Sequence, residues 1–426
     1  DFDRDEGHLL LKVALAQPGA RTQARRDLAR FYFANHFAAE AEAVLIRLKD
    51  RDPRAADSPE FHSLLGAVLV DLRHFPEAAS VLGGADLVFD PQAALWRGLI
   101  AAHDGHWPQA IKELGQGARV LEAYPPDWRG RFLLAGAKAA LATGNKEGAA
   151  ATLAALEGAK LSGDEQAEAT LLRGRLEGLE GKKITAAALY AKVAASPMLP
   201  AAAQARLDLV NTDLALRKIT PAQAIEQLER LRFAWRGDAT ELAVERRLGE
   251  LYIANGKPRQ GLLAWRRAIR DFPTSPLAAE LAADSKAEFH RLFLDGGAKK
   301  LTPIEALAVY YDFRDLTPQG SDGDAMIRNL ADRLLSLDLL DRAADLLNYQ
   351  VTRRLSGEEK ARVGARLAVV QLLNDKPEGA LTALSESLTT PLPAALTLER
   401  LDLQARAEAD QGKTDAALTL IKGDTS

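Results

Sequence analysis

The chain has 426 residues with Lys+Arg 55 against Asp+Glu 59, a net charge of −4, and a 47% hydrophobic content to which aromatics contribute 6%. This near-neutral balance gives no global attraction to nucleic acid or anionic lipid, and the absence of cysteine excludes disulfides, thiolate metal ligands and cysteine nucleophiles. No apolar run approaches the roughly 18 residues of a membrane span, and the abundance of Ala, Leu, Arg and Glu points to stacked amphipathic helices.

In chain order, residues 1–21 predict one helix and a turn at Gln17-Pro18-Gly19, a cap for the first helix pair. From residue 22 the helical stretches fall into pairs. The second helix of each pair carries a small residue followed four positions later by a large one. The small positions are Ala41, Ala78, Ala110, Ala149, Ala186, Ala224, Gly261, Ala306, Ala343, Ala380 and Ala417. The large ones are Leu45, Leu82, Leu114, Leu153, Tyr190, Leu228, Trp265, Tyr310, Leu347, Leu384 and Ile421. Twelve residues upstream of each small position, the first helix has its own small position. These are Ala29, Gly66, Gly98, Ala137, Gly174, Gly249, Ala331, Ala368 and Ala405, with Thr212 and Leu294 as departures. Two helices joined by a short turn approach to about 8–10 Å only where one presents almost no side chain and a large neighbour fills the adjoining hole.

Turn formers Gly105, Gly144-Asn145, Gly181, Gly256-Lys257 and Gly412-Lys413 separate the paired helices, and Pro53, Pro197, Pro273, Pro318 and Pro391 come after second helices. The widest spacing, with Pro273, Pro276, Gly296-Gly297 and Pro303, marks 275–303 as the place for a bend in a continuous array, between residues 22–280 and 281–426. Residues 317–324 read as the most exposed and mobile loop. The start at Asp1 and the stop at Ser426 are expected to be those of a piece of a longer protein.

Residues 247–273, through Leu248-Gly249, Tyr252, Gly261, Trp265, Ala268 and Pro273, resemble a tetratricopeptide repeat almost residue for residue. Residues 24–53 resemble one nearly as well, through Leu28-Ala29, Tyr32, Ala41, Leu45, Leu48 and Pro53. The resemblance extends over residues 22–426, seven units up to 280 and four beyond, at a spacing of roughly 37 residues against the usual 34 or so. It implies an all-α, right-handed solenoid of about eleven helix-turn-helix repeats, first helices on the concave wall and second helices on the convex one. The whole also resembles the long Ala/Arg-rich repeat proteins of GC-rich bacteria, many of which belong to the envelope.

Catalytic chemistry is not signalled. His103-Asp104-Gly105-His106 supplies two of the three or four ligands that zinc needs, in a stretch that reads as an inter-helix turn. Asp322-Gly323-Asp324 lacks the downstream glutamate of a calcium loop. The phosphate-cradle, nucleophile-elbow and zinc-helix motifs do not occur. The expectation is therefore a non-enzyme with no cofactor and no metal. What remains is surface. Arg26, Arg30, Arg131, Lys138, Arg175, Arg206, Arg217 and Arg246 lie off the packed face of first helices, where the resemblance would point them into the groove. Such a basic wall would suit an acidic peptide, a C-terminal carboxylate or an acidic partner surface. Against it, arginines are common in such helices and pair with neighbouring Glu. A chaperone-tail clamp is disfavoured, since Arg26 and Arg30 have no asparagine partner. The expected role is a scaffold or adaptor in a bacterial multiprotein complex, binding protein and not nucleic acid, with the periplasm as its compartment. A self-assembling structural element and the regulatory arm of a larger protein stay open.

Overall fold

A computed structural model describes residues 2–197 and 200–423; residues 1, 198, 199 and 424–426, both chain ends among them, lie outside. All regular structure in the described residues is helical. Helix α1 (Phe2–Leu15) precedes the hairpins α2 (Pro18–Ala34) with α3 (Ala38–Arg51) and, after the one-turn α4 (Pro53–Ala56), α5 (Pro59–Asp71) with α6 (Phe75–Leu82). Then come α7 (Pro91–His103) with α8 (Trp107–Gly117), α9 (Pro126–Ala142) with α10 (Lys146–Ala155), α11 (Gly163–Leu179) with α12 (Lys183–Ala194), and α13 (Pro200–Ala215) with α14 (Pro221–Ala234). The remainder is α15 (Ala239–Ala254) with α16 (Pro258–Asp271), α17 (Pro276–Phe293) with α18 (Pro303–Asp312), and α19 (Ser321–Leu335) with α20 (Leu340–Arg353). Last are α21 (Gly357–Leu373) with α22 (Pro377–Glu386), and α23 (Ala394–Asp410) with α24 (Thr414–Gly423).

Helix starts obey local chemistry. Proline sits in the first turn of α5, α7, α16, α17, α18 and α22, where its missing N–H is no loss. Side chains of Ser58, Asp90, Asn145, Ser162, Asp238 and Thr302 accept from the exposed amides of the turn they open. The turns inside the hairpins share one geometry. An amide just past the first helix donates back five residues, as from Phe37 to Tyr32 O (2.9 Å), His106 to Ala101 O (2.8 Å), Lys257 to Tyr252 O (2.8 Å) and Lys376 to Gln371 O (2.9 Å). The residue before that amide is left-handed. Gly105 and Gly256 hold it at φ 75° and 74°, but His36, Arg73, Arg217, Asp338 and Asp375 hold it at 55–66°. A search for glycine therefore misses half of these turns.

The small and large positions meet as the spacing requires. Ala41, Ala78, Ala110, Ala149, Ala186, Ala224, Ala306, Ala343 and Ala380 are buried, as are Gly249 and Gly261. A Cβ on Gly66 would stand 2.4 Å from Leu82, on Gly98 2.7 Å from Leu114, on Gly174 2.6 Å from Tyr190 and on Gly249 2.0 Å from Trp265. Each glycine thus receives the large residue of its own hairpin. Three positions depart from the pattern. Thr212 is tolerated because its hydroxyl donates to Asp208 O (2.7 Å). Leu294 lies at the end of α17, where the hairpin opens through a 3-10 turn (Gly297–Lys300) and Phe289 and Phe293 pack on Tyr310 instead. Ile421, a large position by pattern, is 55% exposed on α24, which no further described helix covers.

The chain divides into two compact units, residues 1–227 and 228–426, with the boundary inside α14. The first unit buries Trp96, Trp128 and Phe132 at its centre, and the second Phe289, Tyr310 and Phe313. The stretch 317–324 is not a free loop throughout. Its second half is the first turn of α19, with Gly323 and Asp324 buried and Asp324 bound to Arg354 at 2.8 Å.

Candidate partner-binding surface

First helices pack side by side: α5 on α7, α7 on α9, α9 on α11 and α11 on α13 in the first unit, α15 on α17 and α17 on α19 in the second. Four of the eight predicted cations on them meet carboxylates of neighbouring helices. Arg131 Nη1 lies 2.8 Å from Asp71 on α5, and its Nε lies 3.9 Å from Glu165 on α11. Lys138 Nζ reaches Glu168 at 2.5 Å, and Arg175 Nε reaches Asp208 on α13 at 2.7 Å. Arg246 pairs with Glu250 on its own helix (3.0 Å) and faces Glu280 on α17 (3.8 Å). A cross-helix bond that sequence reasoning did not single out joins Arg366 to Asp332, between α21 and α19.

The remaining four cations are placed differently. Arg26 turns inward and donates to Ala55 O (2.9 Å) and Ser58 Oγ (2.8 Å). Arg206 donates to Ala194 O at the end of α12 (3.1 Å). Arg217 occupies the left-handed position of the α13–α14 turn, and Arg30 is exposed, its charge acting on Asp27. Charge on this surface is thus alternating, with carboxylates interleaved among the cations.

The first-helix surface of the N-terminal unit contains a recess of about 650 Å³. Trp96, Leu99 and Trp128 give it an apolar floor, and Asp71, Arg73, Phe75, His103, Arg131, Asp164 and Glu165 ring it. The floor is built across long sequence distances. Trp128 stacks on Phe33 (4.9 Å between centroids) and on His36 (5.0 Å), and the Arg131 guanidinium lies over its ring at 4.4 Å. His36 Nε2 and Asp127 Oδ2 lie 2.6 Å apart, so the first hairpin turn is clasped to the start of α9. Burial works upward on the Asp127 carboxyl, but the bonds from His36 and from the amides of Asp127 and Trp128 outweigh it and hold the group below its ordinary 3.8. Trp96 Nε1 donates to Tyr124 Oη (3.1 Å), and burial pushes that phenol up to about 12. Phe75 and His103 stack at 3.9 Å on the rim. The separate roles of Phe33, His36 and Trp128 are not periodic in sequence, so the repeat pattern gave no sign of their meeting.

Among the described residues no group of three or more His, Asp or Glu is placed to hold a metal ion, and no helix is long and apolar enough to cross a membrane. No protein-family model matches the sequence, and no curated protein matches it. Among solved structures the chain is similar to a tetratricopeptide repeat protein from Parabacteroides merdae, at 14% identity and TM-score 0.41, over 61% of this chain and 96% of that one. It is also similar to the human IFIT1 dimer with m7Gppp-AAAA, at 13% identity and TM-score 0.41, over 89% and 87%. A third is the P58(IPK) TPR domain, at 11% identity and TM-score 0.29, over 95% and 99%. The paired-helix fold stands on the slot packing and the repeated turns.

Proposed function

We propose that the chain is a protein-binding scaffold of a bacterial multiprotein complex, and that the recess on the N-terminal first-helix surface seats a side chain of an extended partner segment. The observation that carries this reading is the recess itself: an aromatic floor inside a ring of both charges. Apolar floors with a few convergent polar groups are what binding sites are made of, and aromatic and arginine side chains are the usual anchors of protein interfaces. The alternating charge suits a partner segment with both signs as well as the acidic one anticipated from the cations alone. The periplasm is the compartment we propose, on the absence of cysteine.

The test is site-specific photo-crosslinking in source cells, with the crosslinking residue at Arg73 or His103 on the rim and, as control, at Ile46 on α3. One protein captured from both rim sites and not from Ile46, and no longer captured from position 73 in a His103→Glu variant or from position 103 in an Arg73→Glu variant, supports the reading. Capture of that protein equally at Ile46 would overturn it. Reversing Lys138 or Arg175 is a poor probe, because either change sets like charges together across helices.

A second reading, self-assembly, has its own observation. Leu10, Leu11 and Leu15 on α1 and Leu398, Leu418 and Ile421 on the last hairpin are exposed. Light scattering across a dilution series would show oligomers that a Leu11→Glu/Leu15→Glu variant loses; a monomer at every concentration would eliminate it.

A further inference from the structure

Arg400 on α23 is 7% exposed, and none of its partners is a carboxylate. Nη1 donates to Ala361 O (2.6 Å) and to Ser387 Oγ (3.0 Å), and Nη2 donates to Leu384 O (2.5 Å). A guanidinium has five N–H donors, so two are left over. In the same unit Arg354 meets Asp324 at 2.8 Å and the buried Glu245 is met by Arg267 at 3.0 Å, whereas Arg333, like Arg400, donates to carbonyls, those of Ala298 and Leu301. The carbonyls around Arg400, Leu384 O near the end of α22 and Ala361 O on α21, supply only partial negative charge. A buried cation without a full counter-charge is costly. Burial accordingly pushes the Arg400 guanidinium below its ordinary value, with exposed Glu399 opposing.

A cavity of about 550 Å³ opens beside this side chain, between α22 and α23. Leu381, Leu384, Leu388, Leu392 and Leu401 line it, and Arg400 is its only cationic lining residue. The one carboxylate in the lining is Glu408, whose Oε2 lies 3.4 Å from Lys413 Nζ in an ion pair without a hydrogen bond. Five leucines and one under-compensated cation, with Thr382, Ser385, Thr397 and Gln404 completing the lining, suit a ligand with an aliphatic body and one negative end.

We infer that this cavity binds an aliphatic monocarboxylate, its carboxylate on the two unused donors of Arg400 and its chain against the leucines. Charge complementarity selects the acid, since an alcohol leaves the cation unanswered and an amine adds a second positive charge to it. The size of the space falls within the range of small-molecule sites, roughly 300–1,000 Å³. This site is separate from the recess proposed above to hold a protein partner, so either can fail without the other.

Calorimetric titration of the full chain with sodium octanoate, 1-octanol and octylamine tests it. Octanoate is expected to bind saturably, with the alcohol and the amine at least about tenfold weaker. Arg400→Met is expected to abolish octanoate binding. Because Arg400 also closes a helix end, that variant is paired with Leu388→Glu, at a position 64% exposed on the cavity rim, which leaves the core untouched. Leu388→Glu is expected to weaken octanoate about tenfold or more with an unchanged melting temperature. Octanol binding as tightly as octanoate, no saturable heat with octanoate, or indifference to Leu388→Glu would each overturn the proposal. So would a leucine-ended peptide that binds where octanoate does not.

Discussion

At the scale of single residues, the packing of Gly249 against Trp265 shows how little room the hairpins leave. A Cβ at position 249 would stand 2.0 Å from Trp265 Nε1, and the indole is held in place by its bond to Arg246 O at 3.1 Å. Gly249→Ala is therefore expected to cost about 1–3 kcal/mol through overpacking, read from urea denaturation monitored by circular dichroism. Gly115 in α8 has nothing within 4 Å of its Cβ position, so Gly115→Ala is expected to gain up to about 1 kcal/mol. If the two variants shift the curve alike, the slot packing is wrong. The small slots were legible because close approach favours Ala or Gly at all but two of them, Thr212 and Leu294. The turn residues were not, since Arg217 takes a left-handed φ of 58° that costs an ordinary side chain about 1–2 kcal/mol. Arg217→Gly is expected to leave the chain as stable or slightly more so.

At the scale of elements, arginines of first helices do two jobs that sequence alone does not separate. Some bridge neighbouring first helices on the solvent side, as Arg175 does to Asp208. Others reach back and close the end of the preceding second helix, as Arg206 does at Ala194 O, Arg400 at Leu384 O, and Arg97 at Leu82 O (3.1 Å) and Leu87 O (3.0 Å). Both kinds read as Arg on a first helix, and only the folded reach tells them apart. Arg97 and its partner Glu113 are 14% and 13% exposed, while Arg175 and Asp208 are 32% and 23% exposed. Arg97→Met is therefore expected to cost about 1–3 kcal/mol, and a double-mutant cycle on Arg175 and Asp208 to show about 0.2–1 kcal/mol, shrinking in high salt. The docking of α1 has a pH signature. The bond from Lys12 (2.8 Å) holds the Asp27 carboxyl below its ordinary 3.8. Its contribution is fully present above that value and lost as pH falls through the lowered one. Acid is thus expected to destabilise the wild type more than Lys12→Met, measured as melting temperature against pH between neutrality and about 3.

At the scale of the whole chain, stability is a sum of hairpins and their interfaces with immediate neighbours. Ala149 is fully buried between α9 and α10, so Ala149→Leu is expected to speed amide exchange through α9–α11 while residues 228–426 exchange as in the wild type. Uniform acceleration over both units would refute that independence. The repeated hairpin was readable from end to end because its code is local, four, twelve and sixteen residues deep. The recess was not, because Phe33, His36 and Trp128 come together only through how successive hairpins turn within the first unit, a quantity set by all their interfaces at once. Arg131 was found as a wall residue, but its seat on Trp128 and its bond to Asp71 sixty residues away belong to that same non-local geometry.

The contact between His36 and Asp127 has a mechanical consequence. Under tension a simple stack of hairpins would peel from its end, one hairpin at a time. Here the stretch between the two side chains, a sequence separation of 91, forms a loop shielded from load until the contact and the Phe33–Trp128 stack let go. At roughly 3.3–3.6 Å of contour per residue, their release lets the chain lengthen by up to about 300 Å beyond a single rupture, so this end of the molecule would resist as a latch and then yield as a spring.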